Sequence, residues 1–394
     1  MSFEHFSKFD APPYIPLQVG VHLPGISEVP GATKGLVVPN EYFDKTPAEL
    51  RKMGVPEWFV EKHVKLKKPE NDYPDVAAWI EGVSGITQRL VASPEETLRV
   101  MGRSAVADLF QNLDKADIPT NPKNTGLVMA STSVVSVKNG EYPLFTDYPE
   151  LEKIAREITA DCRLAVSEVL NNACAAGVGG IEKAILMLRN NPELSGAVVL
   201  TAEKFFSDAI NRADLGTAPL FGDAAVAMFV SRNSISGISL RPLGSYCRLD
   251  QTEEALGSLH ISSEDVENDN LRKQKKRGKL FMNGRETFKR ATKLMPEAVA
   301  ILAEHLKLDL KTLKLILAHQ ANARILKFIE YETGIRTPIH MEAGNISSAT
   351  IFHLFHQLLK NREINFSPDD LVALVGFGMG EYLRSMIAKV VYLS

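Results

Sequence analysis

The stretch from Ser167 to Leu188 reads SEVLNNACAAGVGGIEKAILML, and its reading decides the fold. Its first residues continue an apolar run, Leu164 to Leu170, with the pattern of a buried strand. From Ala175 to Leu188, the apolar residues Val178, Ile181, Ile185 and Leu188 recur at helical spacing. A strand, a turn and a helix therefore follow one another, with Cys174 at the turn. A thiol at the first turn of a helix faces free backbone N–H groups and the positive end of the helix dipole, which favour thiolate and suit a nucleophile. Small neighbours, Ala173, Ala175, Ala176 and Gly177, leave room for a substrate to reach the sulfur. Cys162 and Cys247 lack that setting and read as small core residues.

The same grammar extends along the chain. Helices are expected over Glu95–Leu113, Leu151–Ile158, Ala323–Glu330 and Ser348–Leu359, and along the face Met295, Val299, Leu302 and Leu306. Strands are expected over Leu17–Leu23, Gly126–Ala130, Ala197–Thr201, Ala224–Val230, Leu313–Ala318, Leu371–Val375 and Met386–Val391. Strands alternating with helices argue for a layered α/β fold with buried sheet. Residues 25–84, rich in Pro, Lys and Glu and carrying Trp58 and Trp79, read as an insertion or lid with short helices. Between the halves, Glu264–Asp269 is acidic and Arg272–Lys279 holds six basic residues. That run reads as a solvated loop, with docking of an acidic carrier protein or a phosphate-bearing ligand as its functional alternative.

Composition narrows the class. The 394 residues are 45% hydrophobic and 24% charged, a soluble globular mix, and 45 basic against 48 acidic side chains give a net charge of −3. Such a balance does not suit a general polyanion binder, so no nucleic-acid partner is expected. Three cysteines are too few for a disulfide framework and point to a reducing compartment. No charged n-region precedes an apolar run at the start, and no window reaches about 18 uninterrupted apolar residues, so a cytoplasmic protein without a membrane span is expected.

A nucleophilic cysteine needs partners. His319 ends the strand LKLILA and opens the helix in LAHQANARI, which places it at a sheet's C-terminal edge, where ligand sites of α/β folds gather. Asn345 occupies the turn GNISSAT before another helix, an N-cap-like setting. A Cys, a His and an Asn at three element ends suit convergence on one carbonyl. Near the C-terminus, VGFGMGEY follows a strand but lacks the long helix and βαβ unit of a dinucleotide site; it reads as a loop whose N–H groups approach a reacting oxygen. His353 and His356 share a helix face without an evident third ligand, so no metal is expected.

With these residues in place the sequence resembles the thiolase superfamily, and within it the β-ketoacyl-acyl-carrier-protein synthase III group. The matching pieces run in the family's order: VGVHLP (19–24), WIEGVSGITQRLVASPEETLRVMG (79–102), ACAAG (173–177), FGDAA (221–225), MNGRETFK (282–289), HQAN (319–322), GNISSA (344–349) and GFGMG (376–380). The resemblance implies a five-layered αβαβα fold of two similar halves, 1–234 and 235–394, with the insertion at about 25–84, and a homodimer. It implies that Cys174 takes an acyl group from a thioester, while His319 and Asn345 hold the carbonyl of a malonyl-type thioester as CO₂ departs. The N–H groups of Cys174 and Gly380 would form the oxyanion hole, and Trp79 and Phe377 would contact substrate. Coenzyme A or phosphopantetheine thioesters serve as substrates in this reading, an acyl carrier protein is the expected partner, and no further cofactor is required.

Two departures matter. The family usually carries an Arg four residues after the Trp at the nucleotide entrance, and here that position is Val83. The stretch 25–84 is longer than in simple members, which points to a specialised condensing enzyme, not the housekeeping initiator of fatty-acid synthesis. Alternatives on the same site are the joining of two longer acyl or β-ketoacyl thioesters without malonyl decarboxylation, and acyl transfer to a hydroxyl or amine. A partner subunit without turnover is a further alternative, disfavoured by the intact Cys174, His319 and Asn345.

Overall fold

A computed structural model describes residues 2–9, 13–26, 34–132, 149–250, 252, 259–262, 279–378 and 382–393. Two sheets form its frame. In the first, the strands Val19–His22, Asp223–Ser231, Gly196–Lys204, Thr125–Ala130 and Val166–Leu170 lie side by side in that order. The first two pairings are antiparallel and the last two parallel. In the second, Gly237–Asp250, Tyr382–Leu393, Leu371–Gly378 and Leu313–Ala318 follow in order. Their pairings run antiparallel, antiparallel, parallel, so the second sheet repeats the first four strands of the other. Ser2–Lys8 pairs antiparallel with Gly237–Asp250, so the N-terminal strand belongs to the second sheet.

Helices make the layers. Leu98–Lys115 and Pro149–Asp161 pack on the outer face of the first sheet, around a core that includes Met101, Leu109, Ile158 and Leu200. Gly284–His305 and Ala323–Thr333 cover the outer face of the second, around Met295, Val299, Ile316 and Ile387. Ala176–Asn190 and Thr350–Lys360 lie between the sheets in a third core with Val199, Leu374 and Val390. The stack is αβαβα. Strands covered on both faces must be apolar throughout, and Gly196–Lys204 and Asp223–Ser231 are buried at every position. A carboxylate crosses the middle layer: Glu182 accepts from Arg384 on the second sheet and from Ser7 at 2.9 Å.

Local chemistry sets the boundaries. The helix expected from Glu95 starts at Leu98, because the Thr97 side chain accepts from Val100 N at 3.3 Å and caps it. The sequence reads residues 25–84 as an insertion, and the structure bounds its described part with a strand pair that reaches just past residue 84. Leu36–Pro39 pairs with Gln88–Val91, and the short helices Pro47–Lys52, Glu57–Val60 and Val76–Ser84 lie between. Thr46 and Glu49 close a capping box ahead of Pro47. The apolar side chains of this segment, Val38, Phe43, Leu50, Phe59 and Ile80, join Phe205, Phe206, Phe221 and Ala173 in one cluster. The insertion therefore packs up to the residue beside Cys174. Most of the charged run at 264–279 lies outside the described residues.

Candidate active site

The turn that carries Cys174 is backbone under constraint. Ala173 has φ of +50°, a left-handed conformation uncommon for a residue with a side chain, and Asn171 Oδ1 accepts from its N–H at 3.1 Å. Cys174 stands just ahead of the helix Ala176–Asn190, whose N-cap Ala175 offers no side-chain cap; Ala175 N donates to Asn172 O at 3.1 Å and Ala176 N to Ala173 O at 2.9 Å. Gly378 lies against this turn: a Cβ there would meet Cys174 N at 2.6 Å. A motif read as letting backbone approach a reacting centre thus brings the last residue of its strand against the nucleophile itself.

The thiol is enclosed but retains some exposure. Burial pushes it up to about 12, the hydrogen bond from Ser347 Oγ at 3.4 Å pulls it down, and the Glu203 carboxylate raises it further. Burial thus works against the thiolate that the helix end favours.

The opposite wall is built by the turn Asn345–Thr350. Asn345 N donates to Leu220 O at 2.8 Å, and Gly222 N donates to Asn345 O at 3.1 Å, which pins the turn to the first half of the chain. Asn345 Oδ1 accepts from Ser347 N at 2.9 Å, which assigns the side-chain orientation and leaves the Nδ2 hydrogens as donors for a ligand. Ser347, buried with φ of +50°, reaches from this turn to the sulfur. Thr350 Oγ1 lies 2.6 Å from His319 Nδ1. One six-residue turn thereby joins Asn345, the Cys174 sulfur and the His319 ring. His319 itself is 3% exposed, and burial lowers it to about 3, so its ring is neutral at any working pH.

Behind the sulfur lies a polar network that sequence reasoning did not find. Glu203, fully buried at the end of the strand Gly196–Lys204, accepts from Thr132 N at 3.1 Å, from Thr132 Oγ1 at 3.0 Å and from Ser348 Oγ. Thr132 Oγ1 lies 2.8 Å from Ser347 Oγ. The only sequence signal is a charge closing an otherwise apolar strand, VVLTAEK. Asp223 of the FGDAA segment opens the strand Asp223–Ser231. It is buried and accepts from Ala92 N and Phe206 N, each at 2.9 Å, which ties the insertion to the sheet.

Trp79 lies on the helix Val76–Ser84, half-buried against the same apolar cluster as Trp58, Phe205 and Ala173. That helix is fixed to the HQAN segment, since Asn322 Nδ2 donates to Val83 O at 3.0 Å. Phe377 stands apart from Trp79: it is buried in the core of the second half with Met295 and Leu383. Gly380 lies outside the described residues. His353 is buried with Nε2 3.0 Å from Gln357 Nε2, and among the described residues no three His, Cys, Asp or Glu side chains are placed to hold a metal.

Two sheets of matching strand order in an αβαβα stack, with Cys174, Asn345 and His319 linked through the turn Asn345–Thr350, are the frame of a thiolase-type fold. Comparison with known proteins agrees. The chain matches the family model for 3-oxoacyl-[acyl-carrier-protein] synthase III over residues 170–244 and that for its C-terminal part over 303–390. It is 30% identical to the β-ketoacyl-[acyl-carrier-protein] synthase III of Streptomyces lividans over 359 residues, covering 88% of this chain and 94% of the relative. The 3-oxoacyl-[acyl-carrier-protein] synthase III structure from Aquifex aeolicus VF5 superposes with a TM-score of 0.68 at 22% identity, covering 96% of this chain and all of that one. The priming β-ketosynthase of the R1128 polyketide pathway gives 0.67 at 23% identity, covering 97% of each. The chain belongs to the β-ketoacyl-acyl-carrier-protein synthase III family and is an acyltransferase-type condensing enzyme.

Proposed function

We propose that the enzyme takes an acyl group from a coenzyme A or acyl-carrier-protein thioester onto Cys174 and extends it with a malonyl-type thioester. In the first half, the sulfur attacks the thioester carbonyl, a new C–S bond forms, and the donor thiol leaves with the proton. In the second, the C–COO⁻ bond of the malonyl unit breaks, CO₂ departs and the electron pair moves into an enolate. The enolate carbon attacks the acyl-Cys174 carbonyl, a C–C bond forms as the C–S bond breaks, and the expelled thiolate takes up a proton from solvent. Asn345 Nδ2 and the His319 ring are the donors for the enolate oxygen, while the N–H groups of Cys174 and Gly380 receive the oxyanion of the acyl carbon. Donors aimed at developing charge in a buried site are each worth about 3–4 kcal/mol.

The observation that carries this reading is the turn Asn345–Thr350, which contacts the sulfur through Ser347 and the neutral imidazole through Thr350. A neutral ring suits an enolate, because it stabilises charge by donation without needing to titrate. The insertion's packing around Trp79 and Ala173 supports a remodelled entrance, and with it a specialised acyl partner. A second copy of the chain is the expected partner of the strand Val166–Leu170. This strand is the edge of the first sheet and is part-exposed, where its neighbour Thr125–Ala130 is buried throughout. Sedimentation should then give twice the 43.4 kDa chain mass.

The test is product analysis by mass spectrometry with paired acyl thioesters, with and without malonyl thioester. CO₂ release and a chain two carbons longer, only when malonyl thioester is present, are the expected result. A condensed product formed from two acyl thioesters alone would replace this reading with the non-decarboxylative one.

A further inference from the structure

Both readings leave open which ring nitrogen of His319 carries the single proton of its neutral form. The surroundings of Thr350 bear on it. Its hydroxyl is buried, lies 2.6 Å from His319 Nδ1 and 3.0 Å from Ser347 O, and has one proton to give. The Ser347 carbonyl already receives the Thr350 backbone N–H, so it does not depend on the hydroxyl. His319 Nδ1 has no other partner among the described residues. If the hydroxyl turned to Ser347 O, Nδ1 would have to be the protonated nitrogen. Nε2 would then present a bare lone pair to a carbonyl oxygen, a repulsive contact.

We propose that Thr350 is a positioning residue that fixes the tautomer of His319: its hydroxyl donates to Nδ1 and keeps the ring proton on Nε2, the nitrogen left for substrate. The hydroxyl is a two-position switch with both acceptors in reach, and the shorter contact with the ring, together with the carbonyl's other donor, sets its resting position. No proton changes hands during decarboxylation. The ring only donates to the oxygen on which charge grows, so what matters is that the donor is in place beforehand.

The inference rests on the decarboxylative reading above, and its test separates the two. Thr350→Val keeps the shape and removes the hydroxyl; Thr350→Ser keeps the hydroxyl. Ring-¹⁵N-histidine spectra, with His319 assigned against His319→Gln, read the tautomer in the resting protein. Wild type and Thr350→Ser should show protonated Nε2, and Thr350→Val should lose that preference. CO₂ release from malonyl thioester should fall about 10- to 100-fold in Thr350→Val, the range met when the partner orienting a working imidazole is removed, and recover in Thr350→Ser. An unchanged nitrogen spectrum in Thr350→Val overturns the inference, as does a changed spectrum with unchanged CO₂ release. If the wild-type enzyme releases no CO₂, the decarboxylative reading fails, while the spectrum still decides the role of Thr350.

Discussion

The two walls of the site are built on different physics. Cys174 stands in front of a charged network: Glu203 behind Thr132 and Ser348, with Ser347 between that network and the sulfur. Among the described residues no carboxylate is hydrogen-bonded to His319 or Asn345: the ring meets the Thr350 hydroxyl, the amide meets Ser347 N, and backbone bonds to Val375, Leu220 and Gly222 hold the two residues in place. In the proposed reaction Cys174 must lose its proton, and burial opposes that loss. The other wall holds an amide that does not titrate and an imidazole that burial keeps neutral. The lesson is that the two half-reactions should be separable by mutation.

The largest effect expected is on the uncharged wall. His319→Ala or Asn345→Ala should lower condensation by about 10²–10³-fold while acyl-Cys174 still forms, read by intact mass and product yield on the same samples. Loss of acylation alongside condensation would break the separation. Next come changes behind the sulfur, where the signs differ. Ser347→Ala removes the hydrogen bond that favours thiolate and should slow iodoacetamide alkylation up to about tenfold at fixed pH. Glu203→Gln removes a nearby negative charge and should speed it, with near-UV circular dichroism checking the fold. Because the thiol titrates at about 12, the wild-type alkylation rate should climb steadily to pH 10. A plateau near neutrality would contradict the enclosed-thiol description.

The smallest effect concerns the frame of the uncharged wall. The His340 ring lies 3.0 Å from Glu342 and 3.1 Å from Glu363, which raise it to about 9 from the ordinary 6.5, and the His340 backbone N–H donates to Gln320 Oε1 beside His319. The folded-state value is raised, so this stabilisation is full below pH 6.5 and is lost as pH rises through about 9. Wild-type Tm should fall modestly across that window, and His340→Gln should flatten the fall. A decline of equal slope in the variant would remove His340 from the account.

Much of this was legible because the residues carry local signals. Continuous apolar runs marked the covered strands Thr125–Ala130 and Leu313–Ala318, and spacing marked the helices. The long strand Gly237–Asp250 escaped because Pro242 and Gly244 break its pattern at a shift in register. Cys174, His319 and Asn345 stood out at turns between elements. Ser347, Thr350, Thr132 and Glu203 did not, for Ser and Thr are common at any turn, and the partners are chosen over long separations: Thr132 meets Ser347 across 215 residues and Glu203 across 71. A sequence shows which groups react more readily than which groups hold them.

Intact-mass spectrometry of wild type and Cys174→Ala, across a panel of acyl-coenzyme A and acyl-carrier thioesters, tests the central claim most directly. The account predicts an added acyl mass in wild type, mapped to the peptide containing Cys174 and absent from the variant. Failure of every donor to add mass at Cys174, or equal labelling of Cys174→Ala, would contradict it.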